Sequence, residues 1–243
     1  VSGFIRVPYD DLEAVKQIAA RKNNVVAILV EPVQGEGGVN IPADMSTYLQ
    51  GLRQVCDDNG WLLMLDEVQS GIGRTGTWFA FQHTGIVPDV MSLAKGLGSG
   101  VPIGACVAKG VAADVFVYGK HGSTFGGNPL ATAAGLTTLN AIQDEKLREN
   151  AQKMGDLICD GFKAELANTK GVVIIRHAGL MVGIELDRPC ADLVKIALSA
   201  KLLINVTADN VIRLLPPLVI NAEESQALVS RLSGLIKEFL QNK

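Results

Sequence analysis

Two apolar runs of this chain end in opposite charges: WLLMLDE (61–67) leads into Asp66, and DVMSLAK (89–95) leads into Lys95. A lysine amine can form a Schiff base with a carbonyl, and a carboxylate can keep a ring nitrogen protonated. An arbitrary Asp and Lys at one sheet edge make a plain ion pair, so their surroundings decide between the two readings. Lys95 is followed by GLGSGVPIGA, a glycine-rich stretch that lets backbone and a planar ligand approach closely. Asp66 is followed by EVQSGIGRTG, where a turn leaves the Gln69 amide beside the same edge. The loop after Lys95 matches neither a P-loop nor a dinucleotide fingerprint, and it leads into another apolar segment rather than a helix.

The elements that must position these groups read as follows. VVAILV (25–30), WLLMLDE and DVMSLAK do not alternate cleanly, which predicts strands of a parallel sheet covered on both faces. Between the first two, MSTYLQGLRQVCDDNG (45–60) places Tyr48, Leu49, Leu52 and Val55 or Cys56 at helical spacing and stops at Gly60. In such sheets ligands sit beyond the carboxyl ends of the strands, which is where Asp66 and Lys95 fall. The second half changes character. A helix is expected from Asn128, and another after Asp144 with Leu147, Ala151, Met154, Ile158 and Phe162 on one face. Short strands are expected at 172–176, 180–186, 202–206 and 211–215. A last helix opens at Asn221, with Glu224 returning its cap bond. We expect an α/β chain divided into residues 1–135, carrying the sheet, and residues 136–243, a smaller α+β domain.

Composition narrows the function classes. The 243 residues are 48% hydrophobic and 19% charged, a globular balance, with a net charge of -3. That leaves no basic excess for nucleic acid or an anionic membrane surface. No apolar run approaches the roughly 18 residues a bilayer requires, and VSGFIRVPYD lacks the features of a secretory signal. Cys56, Cys106, Cys159 and Cys190 are widely spaced, so reduced thiols and a cytoplasmic location are expected. His83, His121 and His177 show no metal-ligand spacing, and no metal is expected.

Five segments carry a resemblance: EPVQGEGG (31–38), LDEVQSGIGRTG (65–76), SLAKGLGSGVPIGA (92–105), HGSTFGGNPLA (121–131) and VIRLLPPLVI (211–220). In type and spacing they resemble the class III aminotransferases, closest to the acetylornithine and ornithine branch, over essentially the whole chain. The resemblance implies a type I pyridoxal-phosphate (PLP) transferase fold. Residues 1–135 would then be the C-terminal part of the large, mixed but mostly parallel sheet domain that binds PLP. It implies Lys95 as the catalytic lysine carrying PLP, and Asp66 as the partner of the ring nitrogen. Val68 would pack on a ring face, and Gln69 would bond near the phenolic oxygen. Thr124 would bind the phosphate of a neighbouring subunit, which makes a homodimer the expected assembly. Arg213 would bind a substrate carboxylate, and Glu36 would pair with Arg213 while the amine donor reacts through its terminal amine. The implied reaction moves that amine from N-acetylornithine to 2-oxoglutarate, a step of arginine biosynthesis, with glutamate as product.

The sequence also departs from the family. Family members begin well upstream, with a turn and helix N-terminus for the PLP phosphate, an aromatic that stacks on the ring and another arginine. None of these precedes Val1, so a C-terminal portion without its N-terminal segment is expected. His177 and Lys201 stand where relatives often carry glycine, which predicts local backbone effects. Ornithine, succinylornithine or 4-aminobutyrate as donor, and a truncated non-catalytic remnant, are the competing readings.

Overall fold

The computed structural model describes residues 2–241. The chain divides into two compact units that interleave in sequence. The first takes residues up to Pro32, Pro42–Ile72 and Phe79–Leu139. The second takes Val33–Ile41, Gly73–Trp78 and the chain from Asn140 onward.

The first unit is built on a four-stranded sheet in the order β1 (Ala27–Val30), β2 (Leu62–Asp66), β3 (Val90–Leu93) and β4 (Ala105–Ala108). The first three run parallel and β4 returns antiparallel to β3, so the sheet is mixed, as expected. Helix α1 (Leu12–Arg21) precedes β1, and α2 (Met45–Asn59) connects β1 to β2. Asp44 caps α2 by accepting the Thr47 N–H, and Gly60 closes it in the left-handed conformation. The helical stripe buries Tyr48, Leu49, Leu52, Val55 and Cys56 with Leu63 and Leu65 of β2. Each such side chain contributes about 1.5–3 kcal/mol by leaving water. Coverage of the strands is less even than their unbroken apolar runs predict. Leu63 and Leu65 are buried, Leu62 and Met64 only half so, and Leu29 of β1 is exposed. From Pro129 to Asp144 runs α3, opened by Asn128, whose Oδ1 accepts the Ala131 N–H.

The second unit packs α4 (Leu147–Leu166) and α6 (Ala222–Gln241) on an antiparallel sheet. Its strands are β5 (Val172–Ala178), β6 (Met181–Leu186), β7 (Asn205–Thr207) and β8 (Val211–Leu214), in the order β5-β6-β8-β7. Helix α5 (Asp192–Ser199) lies between β6 and β7 in sequence. Ala151, Met154, Ile158 and Phe162 of α4 meet Leu232, Ile236 and Phe239 of α6 in one core. The Asn221–Glu224 capping box forms: the Asn221 N–H donates to Glu224, and the Glu224 N–H donates to the Asn221 side chain. Of the two positions where glycine was expected, only Lys201 needs it: its φ is +57°, whereas His177 sits in regular β5 pairing opposite Val182.

Asp89, at the entry to β3, ties the first sheet together. Its carboxylate accepts the Leu63 N–H at 2.8 Å and Arg53 Nη1 at 2.6 Å. Partial burial opposes its ionisation, but these two donors outweigh it and hold its pKa below the usual carboxylate range. A lowered pKa gives stability that is present above the unfolded-state value and is lost as pH falls through the folded-state value. Asp89→Asn should therefore cost about 1–3 kcal/mol at pH 7. Urea unfolding at pH 7 and in steps below pH 4 should show the gap between wild type and variant shrinking with acid.

Candidate active site

The register of β2 against β3 pairs Asp66 with Ser92. Because the two strands are parallel, both chains leave the sheet at the same edge, and Lys95 lies three residues beyond Ser92. Asp66, Val68, Gln69 and Lys95 therefore gather at the carboxyl ends of β2 and β3. The Asp66 carboxylate is held from two sides. Its Oδ1 accepts the Ser92 hydroxyl at 3.1 Å and the Val68 N–H at 3.0 Å. Both bonds fall on one oxygen of a half-buried side chain, so the carboxylate is oriented in advance of any ligand.

Lys95 is exposed and starts a 3-10 turn, Lys95–Gly98, directly after β3. Its φ is +45°, a left-handed conformation that costs a non-glycine residue about 1–2 kcal/mol. Glycine would sit there more cheaply. The strained residue sits directly after β3, at the carboxyl edge of the sheet.

The turn after Asp66 is anchored by its neighbour. Glu67 is fully buried, and its carboxylate accepts the Ser70 hydroxyl at 2.5 Å and the N–H groups of Ala80 and Phe81 at 3.0 Å each. Burial pushes its pKa up, against the pull of these three donors. Val68 and Gln69 thus lie between Glu67 and the Ser70 that it holds; both are half-buried. Thr124 stands elsewhere, on an exposed segment (121–127) ahead of α3.

In the second unit, Arg213 lies on β8 and donates through Nη1 to Glu36 Oε1 at 2.7 Å. The two partners differ in exposure: the Arg213 side chain is 10% exposed and that of Glu36 71%. An ion pair with one member so open contributes at most about 1 kcal/mol.

Ser92 and Glu67 were not singled out from the sequence. Ser92 had a signal, a lone hydroxyl in an apolar strand, but its meaning depends on the β2–β3 register. Glu67 had none beyond its place next to Asp66. Replacing Glu67 by Gln sets an NH2 donor against backbone donors and should cost about 1–3 kcal/mol. Thermal melts of both proteins at pH 7 check this, and an unchanged midpoint would contradict the anchoring role.

Comparison with known proteins gives the family. The aminotransferase class-III family profile matches residues 4–236. The acetylornithine aminotransferase of Nitrosomonas europaea is 56% identical over 243 residues, which is 100% of this chain and 61% of that protein. The crystal structure of acetylornithine aminotransferase from Elizabethkingia anophelis superposes with a TM-score of 0.91 at 38% identity, covering 98% of this chain and 60% of that one. The ornithine aminotransferase of Toxoplasma gondii, crystallised in the presence of oxidised glutathione with partial occupancy of PLP at its active site, gives a TM-score of 0.93 at 36% identity. It covers 100% of this chain and 58% of its own. The chain thus spans about three fifths of the relatives it matches. It belongs to the class III aminotransferases.

Proposed function

We propose that this chain supplies the reactive lysine of a PLP-dependent aminotransferase that moves the terminal amine of N-acetylornithine to 2-oxoglutarate. The observation that carries this is the shared carboxyl edge of β2 and β3, where the chain places Lys95 three residues beyond Ser92 and the Asp66 carboxylate is already oriented by Ser92 and Val68. These donors fit a pyridoxal ring: an amine for its carbonyl and a fixed anion for its nitrogen. The similarity to the acetylornithine aminotransferase of Nitrosomonas europaea at 56% identity supports this donor.

When bound, PLP would supply an electron sink for the charge left as a proton leaves the amine-bearing carbon. Lys95 would hold the cofactor and, once displaced by substrate, carry that proton as a general base and acid. Such transfer is worth about 10²–10⁴-fold in rate. Asp66 would keep the ring nitrogen protonated, and each pKa unit of support amounts to about 1.4 kcal/mol. Val68 would cover a ring face and Gln69 would bond the ring oxygen. Arg213 would hold the carboxylate of 2-oxoglutarate or glutamate in its bidentate fork. Glu36 would mask Arg213 while the donor reacts through its terminal amine.

Thr124 is open to a neighbouring subunit, which supports a homodimer with phosphate contacts shared between chains. Residues 1–135 would be the C-terminal part of the PLP-binding domain and 136–243 the small domain. No helix among the described residues is long and apolar enough to cross a membrane. All four cysteines are free, which supports a cytoplasmic setting.

Borohydride reduction of the PLP-loaded protein, followed by peptide mass mapping, tests the assignment. The pyridoxyl group should appear on Lys95, and Lys95→Ala should retain none after dialysis. Label on another lysine would overturn the proposal.

A further inference from the structure

One row across the second sheet carries four residues in register: Arg176, Gly183, Arg213 and Asn205. Directly opposed residues of antiparallel strands share a face, so Arg176 and Arg213 flank Gly183 on the same side. The segment from Gln34 to Asn40, closed by an antiparallel bridge between those two residues, docks on this gap. A Cβ at Gly183 would come within 3.0 Å of Val39 Cβ and 3.4 Å of the Gly38 carbonyl, so the glycine makes room for the hairpin. Val39 is fully buried there.

Arg176 grips the hairpin by its backbone. Its Nε donates to the Val39 carbonyl at 2.8 Å, and its Nη2 to the Gly38 carbonyl at 2.6 Å. Its Nη1 is braced by Glu185 at 2.7 Å. Thr207 adds a second hold, its hydroxyl donating to the Glu36 carbonyl. Everything about Glu36 is thus fixed except its side chain, which reaches Arg213 and is otherwise open to solvent.

We infer that Arg176, seconded by Thr207, is a positioning residue that confines opening of the Glu36–Arg213 pair to the Glu36 side chain and so sets how strongly a substrate carboxylate must compete for Arg213. This rests on the roles proposed above for Glu36 and Arg213. A hairpin released from Arg176 carries Glu36 away from Arg213 for part of the time. The competitor weakens, and the site accepts carboxylates more readily.

The test is the Kd of glutarate, a dicarboxylate with no amine or keto group, measured calorimetrically on the full-length holoenzyme. Glu36→Ala should tighten binding roughly two- to fivefold, the range for loss of an exposed ionic competitor. Arg176→Gln should tighten it in the same direction. Thr207→Val, nearly equal in shape, should do so as well and stands in if the arginine variant does not fold. In a Glu36→Ala background neither should have any further effect. If Glu36→Ala leaves Kd unchanged, the masking role of Glu36 fails and the inference falls with it. If Glu36→Ala tightens binding but both anchor variants leave Kd unchanged, the inference alone is overturned. The same holds if they shift Kd equally with and without Glu36.

Discussion

The parallel pairing of β2 and β3 is the constraint on which the candidate site depends. Backbone hydrogen bonds fix Asp66 opposite Ser92, and that single register decides two things. It puts a hydroxyl where it can hold the Asp66 carboxylate, and it sends the acid and the lysine out of the same edge of the sheet. A slip of one residue would turn Ser92 to the other face and leave Asp66 with the Val68 N–H as its remaining restraint. Asp89 reinforces the register at the opposite end, bonding the entry to β3 to Leu63 of β2 and Arg53 of α2.

Around this frame the chain tolerates local cost. Lys95 is held in left-handed backbone, and Glu67 is buried with its carboxylate accepting one hydroxyl and two backbone N–H groups. Lys95 is itself proposed to hold the cofactor, and Glu67 adjoins Asp66 and Val68, which share that role. Packing of α2 on β2, with five buried side chains from the helix alone, is large compared with either cost. The second unit shows the opposite arrangement at Arg213, a buried cation paired with an exposed anion. Such a pair is weaker than a fully buried one.

Much of this was legible before the structure. Period-3.6 stripes gave α2, α4 and α6, and the Asn221–Glu224 box gave the start of the last helix. The motifs around Asp66, Lys95 and Arg213 gave the family. Other features were hidden for physical reasons. The strand β4, ACVA, is short and follows glycine-rich sequence, so nothing periodic announces it. A strand expected over 202–206 pairs only over Asn205–Thr207, because chain direction and not propensity brings it beside β8. Sequence reading divides the chain once, at 135/136, whereas the segments 33–41 and 73–78 group with the second unit. Arg176 was not singled out from the sequence; its partners are carbonyls more than 130 residues away.

The central claim is that Asp66, oriented by the β2–β3 register, keeps the cofactor ring nitrogen protonated. It is tested most directly by the 15N chemical shift of that nitrogen in holoenzyme loaded with labelled PLP, compared between wild type and Asp66→Asn. The account predicts the shift of a protonated ring in the wild type across neutral pH and of an unprotonated ring in the variant. The same shift in both would contradict it.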